Sequence, residues 1–277
     1  ANVALNIRAL GANPILCTVL GDDAKSHDFE AMMANADMTS EGILTSATRI
    51  TTVKYRIIGN NTQLLRVDKE ITDPLSAEDE QRLIEKVANL LETKTINAIV
   101  FQDYDKGCIT PRVIAEITAM ANARNIPTTV DPKHRNFLNF KDVTLFKPNL
   151  KELSEGLGVD AKNADIATLR SAAERLHETQ RIDIVFITLS ERGAFIADFR
   201  SGKAETVLVP AHLRKISDVS GAGDTVISVA TLCLSMGLPI GTLLNYSNLA
   251  GGIVCETVGV VPIDRQRLFD EIQRLYC

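Results

Sequence analysis

The chain has no tryptophan, only four histidines and five cysteines, and no apolar run near the ~18 residues that a membrane-crossing helix needs. It also lacks proline-rich and serine-rich tracts. With 45% hydrophobic and 23% charged residues, its composition is that of a globular protein rather than a disordered one. Cys17, Cys108, Cys233, Cys255 and Cys277 show neither CxxC nor Cys/His spacing. That argues against a disulfide framework and a zinc site, and suits a reducing cytoplasm. His27, His134, His177 and His212 stand at no catalytic or metal spacing. Basic residues are not concentrated anywhere, and the net charge is -5, so there is no electrostatic footprint for nucleic acid or an anionic membrane. A small ligand is the expected partner.

What is present is a rhythm. Ala1 to Leu10 has a helical period ending at Gly11, and a strand is expected at Ile15 to Val19. From Thr52 to Val67 the pattern alternates around Gly59-Asn60-Asn61, which predicts a hairpin. Short apolar strands then alternate with helical stretches: Ala98 to Phe101, Thr128 to Val130, Val143 to Phe146 and Ile184 to Ile187. This predicts an α/β fold, a mostly parallel central sheet with helices on both faces and a small β lid at roughly 50–68. The C-terminal helix, Arg265 to Tyr276, carries Leu268, Phe269, Ile272 and Leu275 on one face, which is expected to pack on the core.

Each strand ends in a polar cluster: Gln102 to Lys106, Asp131-Pro132-Lys133, Lys147 to Glu152, and Thr188 to Gly193. Ligands of open α/β sheets bind off the carboxyl ends of the strands, so the four clusters describe one cleft. The plainer reading is that loops are simply polar.

The most informative stretch is Asp218-Val219-Ser220-Gly221-Ala222-Gly223-Asp224-Thr225, a glycine-rich turn opening a helix. The first N–H groups of a helix have no partner within it, and the helix dipole adds positive potential there, so an anion can bind. Gly221 and Gly223 let the backbone approach a phosphate, and Asp224 stands beside that position as a candidate base for an attacking alcohol. Alternatively, Asp218 or Asp224 is an ordinary N-cap and the glycines only make a turn. There is no GxxxxGK[ST] loop, and Gly156-Leu157-Gly158 lacks the third glycine of a dinucleotide fingerprint.

Gly221-Ala222-Gly223-Asp224, Asn149-x-x-Glu152 and the opening Ala1-Asn2-Val3-Ala4-Leu5-Asn6, in this order and spacing, resemble the PfkB (ribokinase-like) carbohydrate kinases along practically the whole chain. Within that family, Asn61 to Asp68, Asp103 to Gly107, Asp131-Pro132-Lys133 and Asp218 to Thr225 resemble the kinase half of bacterial bifunctional ADP-heptose synthases. The resemblance implies a ribokinase-like kinase domain over 1–277. It also implies a preceding strand and Gly-Gly pair that do not appear before Ala1.

By this resemblance the chain transfers the γ-phosphoryl group of ATP, with Mg²⁺, to a sugar or sugar-phosphate hydroxyl. Asp224 is the implied base, and the amides of Gly221, Ala222 and Gly223 stabilise the transferring group. Asn149 and Glu152 match the element organising Mg²⁺ and phosphates through water; Glu152 also reads as a first-turn helix carboxylate. Thr188, Ser190, Glu191 and Gly193 fall on the nucleotide loop, with Ser190 replacing a common glycine, or form a plain exposed turn. Asn248 matches the adenine-side helix, or is a buried asparagine satisfied by backbone. Asp218 is the implied ligand of a monovalent cation such as K⁺.

Asn2 matches a sugar-contacting position, and Asp103 lies on a cleft loop. For a sugar phosphate, Lys54, Arg56, Arg66, Lys106 and Lys133 are the candidate cations, of which about two are expected to make contact. The expected acceptor is D-glycero-D-manno-heptose 7-phosphate, and a homodimer through the β lid is expected. Ribose or fructose as acceptor, or a non-catalytic sugar- or nucleotide-binding module, are the alternatives.

Overall fold

The computed structural model describes residues 1–59, 62–161 and 164–276. Asn60 and Asn61 of the expected turn, and Cys277, lie outside them.

The chain runs α1 (Asn2–Ala9), β1 (Thr18–Gly21), α2 (Ala24–Asn35), β2 (Ile43–Ser46), β3 (Val53–Gly59), β4 (Thr62–Lys69), α3 (Ala77–Thr93), β5 (Ile99–Gln102), α4 (Pro111–Asn122) and β6 (Thr128–Asp131). It continues through β7 (Leu145–Phe146), α5 (Leu150–Leu157), α6 (Ile166–Gln180), β8 (Ile184–Thr188), β9 (Ala194–Asp198), β10 (Glu205–Val209), α7 (Ala222–Ser235), α8 (Ile240–Val254) and α9 (Arg265–Tyr276). Side chains cap the starts of α3 and α4. Ser76 Oγ accepts from Asp79 N ahead of α3, and Thr110 Oγ1 from Val113 N ahead of Pro111 at the start of α4.

Six strands form the main sheet in the order β10-β9-β8-β7-β6-β5. Pairing is parallel from β5 to β8 and antiparallel through β9 and β10. The pleat sends successive side chains to opposite faces. Val185 and Ile187 enter the core that holds α3, α4, α5 and α6, while Ile184 and Phe186 enter the core that holds α1, α7 and α8. The expected α/β architecture with helices on both faces is therefore present.

Three readings need correction. The first strand is Thr18–Gly21 rather than Ile15 to Val19, because Ile15 makes only an isolated bridge to Thr39 while Thr18 opens a parallel pairing with Ile43. The strand around residue 145 is reduced to Leu145 and Phe146. On α9 only Leu268 is buried; Ile272 is partly covered, and Phe269 is 52% and Leu275 44% exposed, because the helix caps the edge of the second core instead of lying across it.

The strands β1 and β2 form a separate two-stranded sheet, and β3 and β4 an antiparallel hairpin that pairs with no other described strand. Register places Tyr55 opposite Val67 and Ile57 opposite Leu65, and on the other side Lys54 opposite Asp68 and Arg56 opposite Arg66. The ribbon thus has an apolar face and a mainly cationic one, both exposed.

Candidate functional site

The glycine turn opens α7 as follows. Gly221 is the N-cap residue at φ 86°, a left-handed conformation in which a side chain would be strained, and a Cβ there would stand 3.0 Å from Asn2 Nδ2. The Ala222 amide makes a long 3.3 Å contact to Val219 O. The amides of Gly221, Gly223 and Asp224 have no acceptor among the described residues. No side chain caps this helix, so Asp224 is not an N-cap, and neither is Asp218. The turn is a set of free donors at the positive end of a helix dipole.

The carboxylate of Asp224, in the first turn, accepts only from side chains among the described residues. Asn2 Nδ2 donates to Oδ2 at 2.8 Å, Gln102 Nε2 to Oδ1 at 3.3 Å, and the Tyr104 hydroxyl lies 3.2 Å from each oxygen. Three elements meet here: the start of α1, the end of β5 and the loop beyond it. Burial and the Asp224 charge together push the Tyr104 phenol well above its ordinary pKa, so it stays protonated and donates to the carboxylate.

Behind this carboxylate lies a buried charge chain. The Lys147 ammonium is 3.3 Å from Asp131 Oδ2, with side chains 3% and 7% exposed. Gln102 Nε2 bridges Asp131 Oδ2 and Asp224 Oδ1, each at 3.3 Å, and Gln102 Oε1 is buried without a partner among the described residues. Gly223 lies directly in front of the pair: a Cβ built on it would be 3.6 Å from Lys147 Nζ and 3.7 Å from Asp131 Oδ2. Lys133 pairs with Glu152 and lies 3.8 Å from Asp131 Oδ1. Burial pulls its pKa down, but Asp131 and Glu152 outweigh this and raise it.

Asn149 and Glu152 form a reciprocal capping box on α5: Glu152 N donates to Asn149 Oδ1 and Asn149 N to Glu152 Oε2, both at 2.9 Å. Each Glu152 oxygen already has one partner and keeps lone pairs for water. The clusters after β5, β6 and β7 therefore converge, and Asn149 bridges to Thr188 at the end of β8.

The other expected positions have these surroundings. Asp103 does not present its carboxylate to the cleft. It is 2% exposed, accepts from Asp105 N at 2.7 Å and Asn136 Nδ2 at 3.1 Å, and burial raises its pKa. It braces the loop while its neighbour Tyr104 reaches Asp224. Lys106 is tied to Glu70 at 2.6 Å and Arg66 to Asp68 at 3.1 Å, whereas Lys54 and Arg56 have no ion-pair partner among the described residues. Ser190 and Glu191 sit in an exposed turn with Ser190 at φ 57°, and Gly193, at φ 96°, packs where a Cβ would collide with Val209 O. Asn248, on α8, donates to Pro210 O at 3.0 Å.

Asp218 Oδ1 accepts from Ser220 N at 2.9 Å and Oδ2 from Gly259 N at 3.0 Å, and these backbone donors, Ser220 first, lower its pKa. Among the described residues no three His, Cys, Asp or Glu side chains gather as metal ligands, and no helix is long and apolar enough to cross a membrane. Gln102 and Lys147 stand out in the sequence only through their strand-end position, and Tyr104 and Asp131 through that position and the stretches that resemble the heptose kinases.

Residues 1–265 match the sequence profile described as pfkB family carbohydrate kinase. The bifunctional protein HldE of Methylobacillus flagellatus is 37% identical over 273 residues, 99% of this chain and 54% of that protein. The same-named protein of Helicobacter pylori is 34% identical over 94% of this chain and 54% of its own length. The chain thus spans about half the length of these curated relatives. Among solved structures, phosphofructokinase-2 from Escherichia coli in complex with potassium superposes with a TM-score of 0.79 at 18% identity, covering 99% of this chain and 86% of that one. Arabidopsis thaliana ribokinase complexed with ribose and ATP gives 0.74 at 14%, covering 97% and 85%. The fold is ribokinase-like, and the chain belongs to the pfkB family of carbohydrate kinases, phosphotransferases that act on a sugar hydroxyl.

Proposed function

We propose that the chain transfers the γ-phosphoryl group of ATP to the anomeric hydroxyl of D-glycero-D-manno-heptose 7-phosphate, with Asp224 as the base. The observation that carries this is the pairing of unpartnered amides at Gly221, Gly223 and Asp224 with a carboxylate that receives only side-chain donors. The amides receive the developing negative charge on the phosphoryl oxygens, and Asp224 accepts the proton of the sugar hydroxyl. Phosphoryl transfer depends mainly on such positioning and charge stabilisation. Lys147, held by Asp131 behind Gly223, adds a fixed cation beside the same amides.

The donor set suits Mg²⁺, which keeps several waters: the Glu152 and Asp131 carboxylates would hold those waters. When bound, Mg²⁺ neutralises phosphate charge. Thr188, Ser190, Glu191, Gly193 and Asn248 border the nucleotide side. Asp218, with one backbone donor on each oxygen, retains lone pairs for a monovalent cation such as K⁺.

For a phosphorylated acceptor the hairpin supplies the anion site. Arg56 and Arg66 are directly opposite each other across the strands, an unfavourable pairing of like charges that a bound phosphate relieves. The apolar face with Tyr55, Ile57, Leu65 and Val67 is the surface on which two copies would pair, and the cytoplasm is the compartment this activity implies.

The direct test is Asp224→Asn. The fold and ATP binding should persist while turnover falls by ~10²–10⁴; turnover near that of the unaltered chain discards the assignment. The ribokinase-like architecture also accommodates a neutral acceptor. A panel of heptose 7-phosphate, ribose and fructose separates the two readings, because a site built for a phosphate rejects neutral sugars.

A further inference from the structure

Tyr104 stands out because its hydroxyl faces both oxygens of Asp224 at 3.2 Å and yet the residue is 42% exposed. The other two donors come from regular elements: Asn2 is the first residue of α1 and Gln102 the last of β5. Tyr104 comes from the loop beyond β5, and that loop is firmly braced. Asp103 is buried against Asn136, Lys106 pairs with Glu70, and Arg49 donates to Lys106 O at 2.7 Å and Asp73 O at 2.7 Å. Gly107, at φ 73°, passes so close to Asp73 O that a Cβ would collide with it. The backbone is therefore held, and the phenol can leave only by rotating its own side chain.

A phenol has one hydrogen. Shared between two oxygens at 3.2 Å, it is held less firmly than the 2.8 Å amide bond from Asn2. An incoming sugar hydroxyl must donate to these same oxygens, so it competes with Tyr104 for the carboxylate.

We propose that Tyr104 is a positioning residue that covers Asp224 when no acceptor is bound, and that the acceptor hydroxyl displaces it. The phenol stays protonated, since burial and the Asp224 charge both raise its pKa, so it covers the carboxylate without taking its proton-accepting role. The covered reaction is transfer to water. In it the water oxygen bonds to the γ-phosphorus as the bond to the β–γ bridging oxygen breaks. ADP leaves with that electron pair, and the water proton passes to Asp224 and then to solvent. This inference rests on Asp224 being the base.

The experiment measures phosphate release from radiolabelled MgATP in the absence of any sugar, for the unaltered chain, Tyr104→Phe, Asp224→Asn and the double variant, with thermal melts to establish folding. Tyr104→Phe removes one hydroxyl and keeps the ring. Its sugar-free hydrolysis should rise about fivefold or more, the factor that one net hydrogen bond is worth. The double variant should return to the unaltered rate or below. Hydrolysis by folded Tyr104→Phe that does not rise overturns the proposal, as does a rise that persists in the double variant. Should Asp224→Asn retain full turnover on a sugar acceptor, the base assignment itself fails, a result separate from either outcome for Tyr104.

Discussion

Lys147→Met tests the buried charge chain. At 3.3 Å the Lys147–Asp131 attraction is about 5 kcal/mol for an effective dielectric of 20, a gross figure that desolvation of both ions opposes. Removing the ammonium leaves Asp131 buried and charged, which costs ~3–5 kcal/mol in comparable pairs. Gln102 Nε2 at 3.3 Å and Lys133 at 3.8 Å still face Asp131, so the lower end, about 3 kcal/mol, applies. For a chain of 277 residues that is a fall in Tm of roughly 5 °C, read by circular dichroism. Turnover should fall by ~10²-fold, as for loss of one preorganised charge stabiliser. Lys147→Met combined with Asp131→Leu should recover most of the stability and none of the turnover, because no charge is then stranded. A shift below about 2 °C in the single variant refutes the reasoning, as does recovery of turnover in the double variant.

The two glycines of the turn should respond in opposite ways. Gly221→Ala strains a left-handed residue against Asn2 and should lower stability by ~1 kcal/mol or more in urea unfolding, whereas Gly223→Ala makes only ordinary contacts, so it should fold normally yet turn over slowly as its methyl fills the space before Lys147. Burial pushes the Cys17 thiol up to about 11 and that of Cys233 to about 12, so at pH 8 about one Cys17 in 10³ is thiolate, against roughly a quarter of free cysteines. Disulfide-exchange labelling of the native chain should therefore be slow at these two positions and become fast in urea or as the pH is raised toward 11; rapid labelling of either in the folded chain at pH 8 contradicts the raised thiol pKa.

The strand rhythm and the glycine turn were legible in the sequence because both are local: period-two apolar runs and a Gly-Ala-Gly-Asp helix start. Lys147 was not, because a buried lysine is recognisable only by its partner, and Asp131 lies on the neighbouring strand. Asp103, expected on the cleft, is buried while its neighbour Tyr104 reaches Asp224, for a related reason. The chain turns immediately after β5, and the direction of each side chain there is set by Asn136 and by the left-handed Asp105, neither of which leaves a periodic trace. On α9 the apolar spacing was correct, but spacing does not reveal how much of the stripe a neighbour covers.

The hairpin from Val53 to Lys69 carries greasy residues on one side and cations on the other solely because its side chains alternate. Insertion or deletion of a single residue between Lys54 and Ile57 would exchange the two sides over the rest of that strand, turning arginine outward where an aliphatic belongs. Surface ribbons normally tolerate changes in length, but here the parity of the residue count carries information, and drift in length should be confined to the tip.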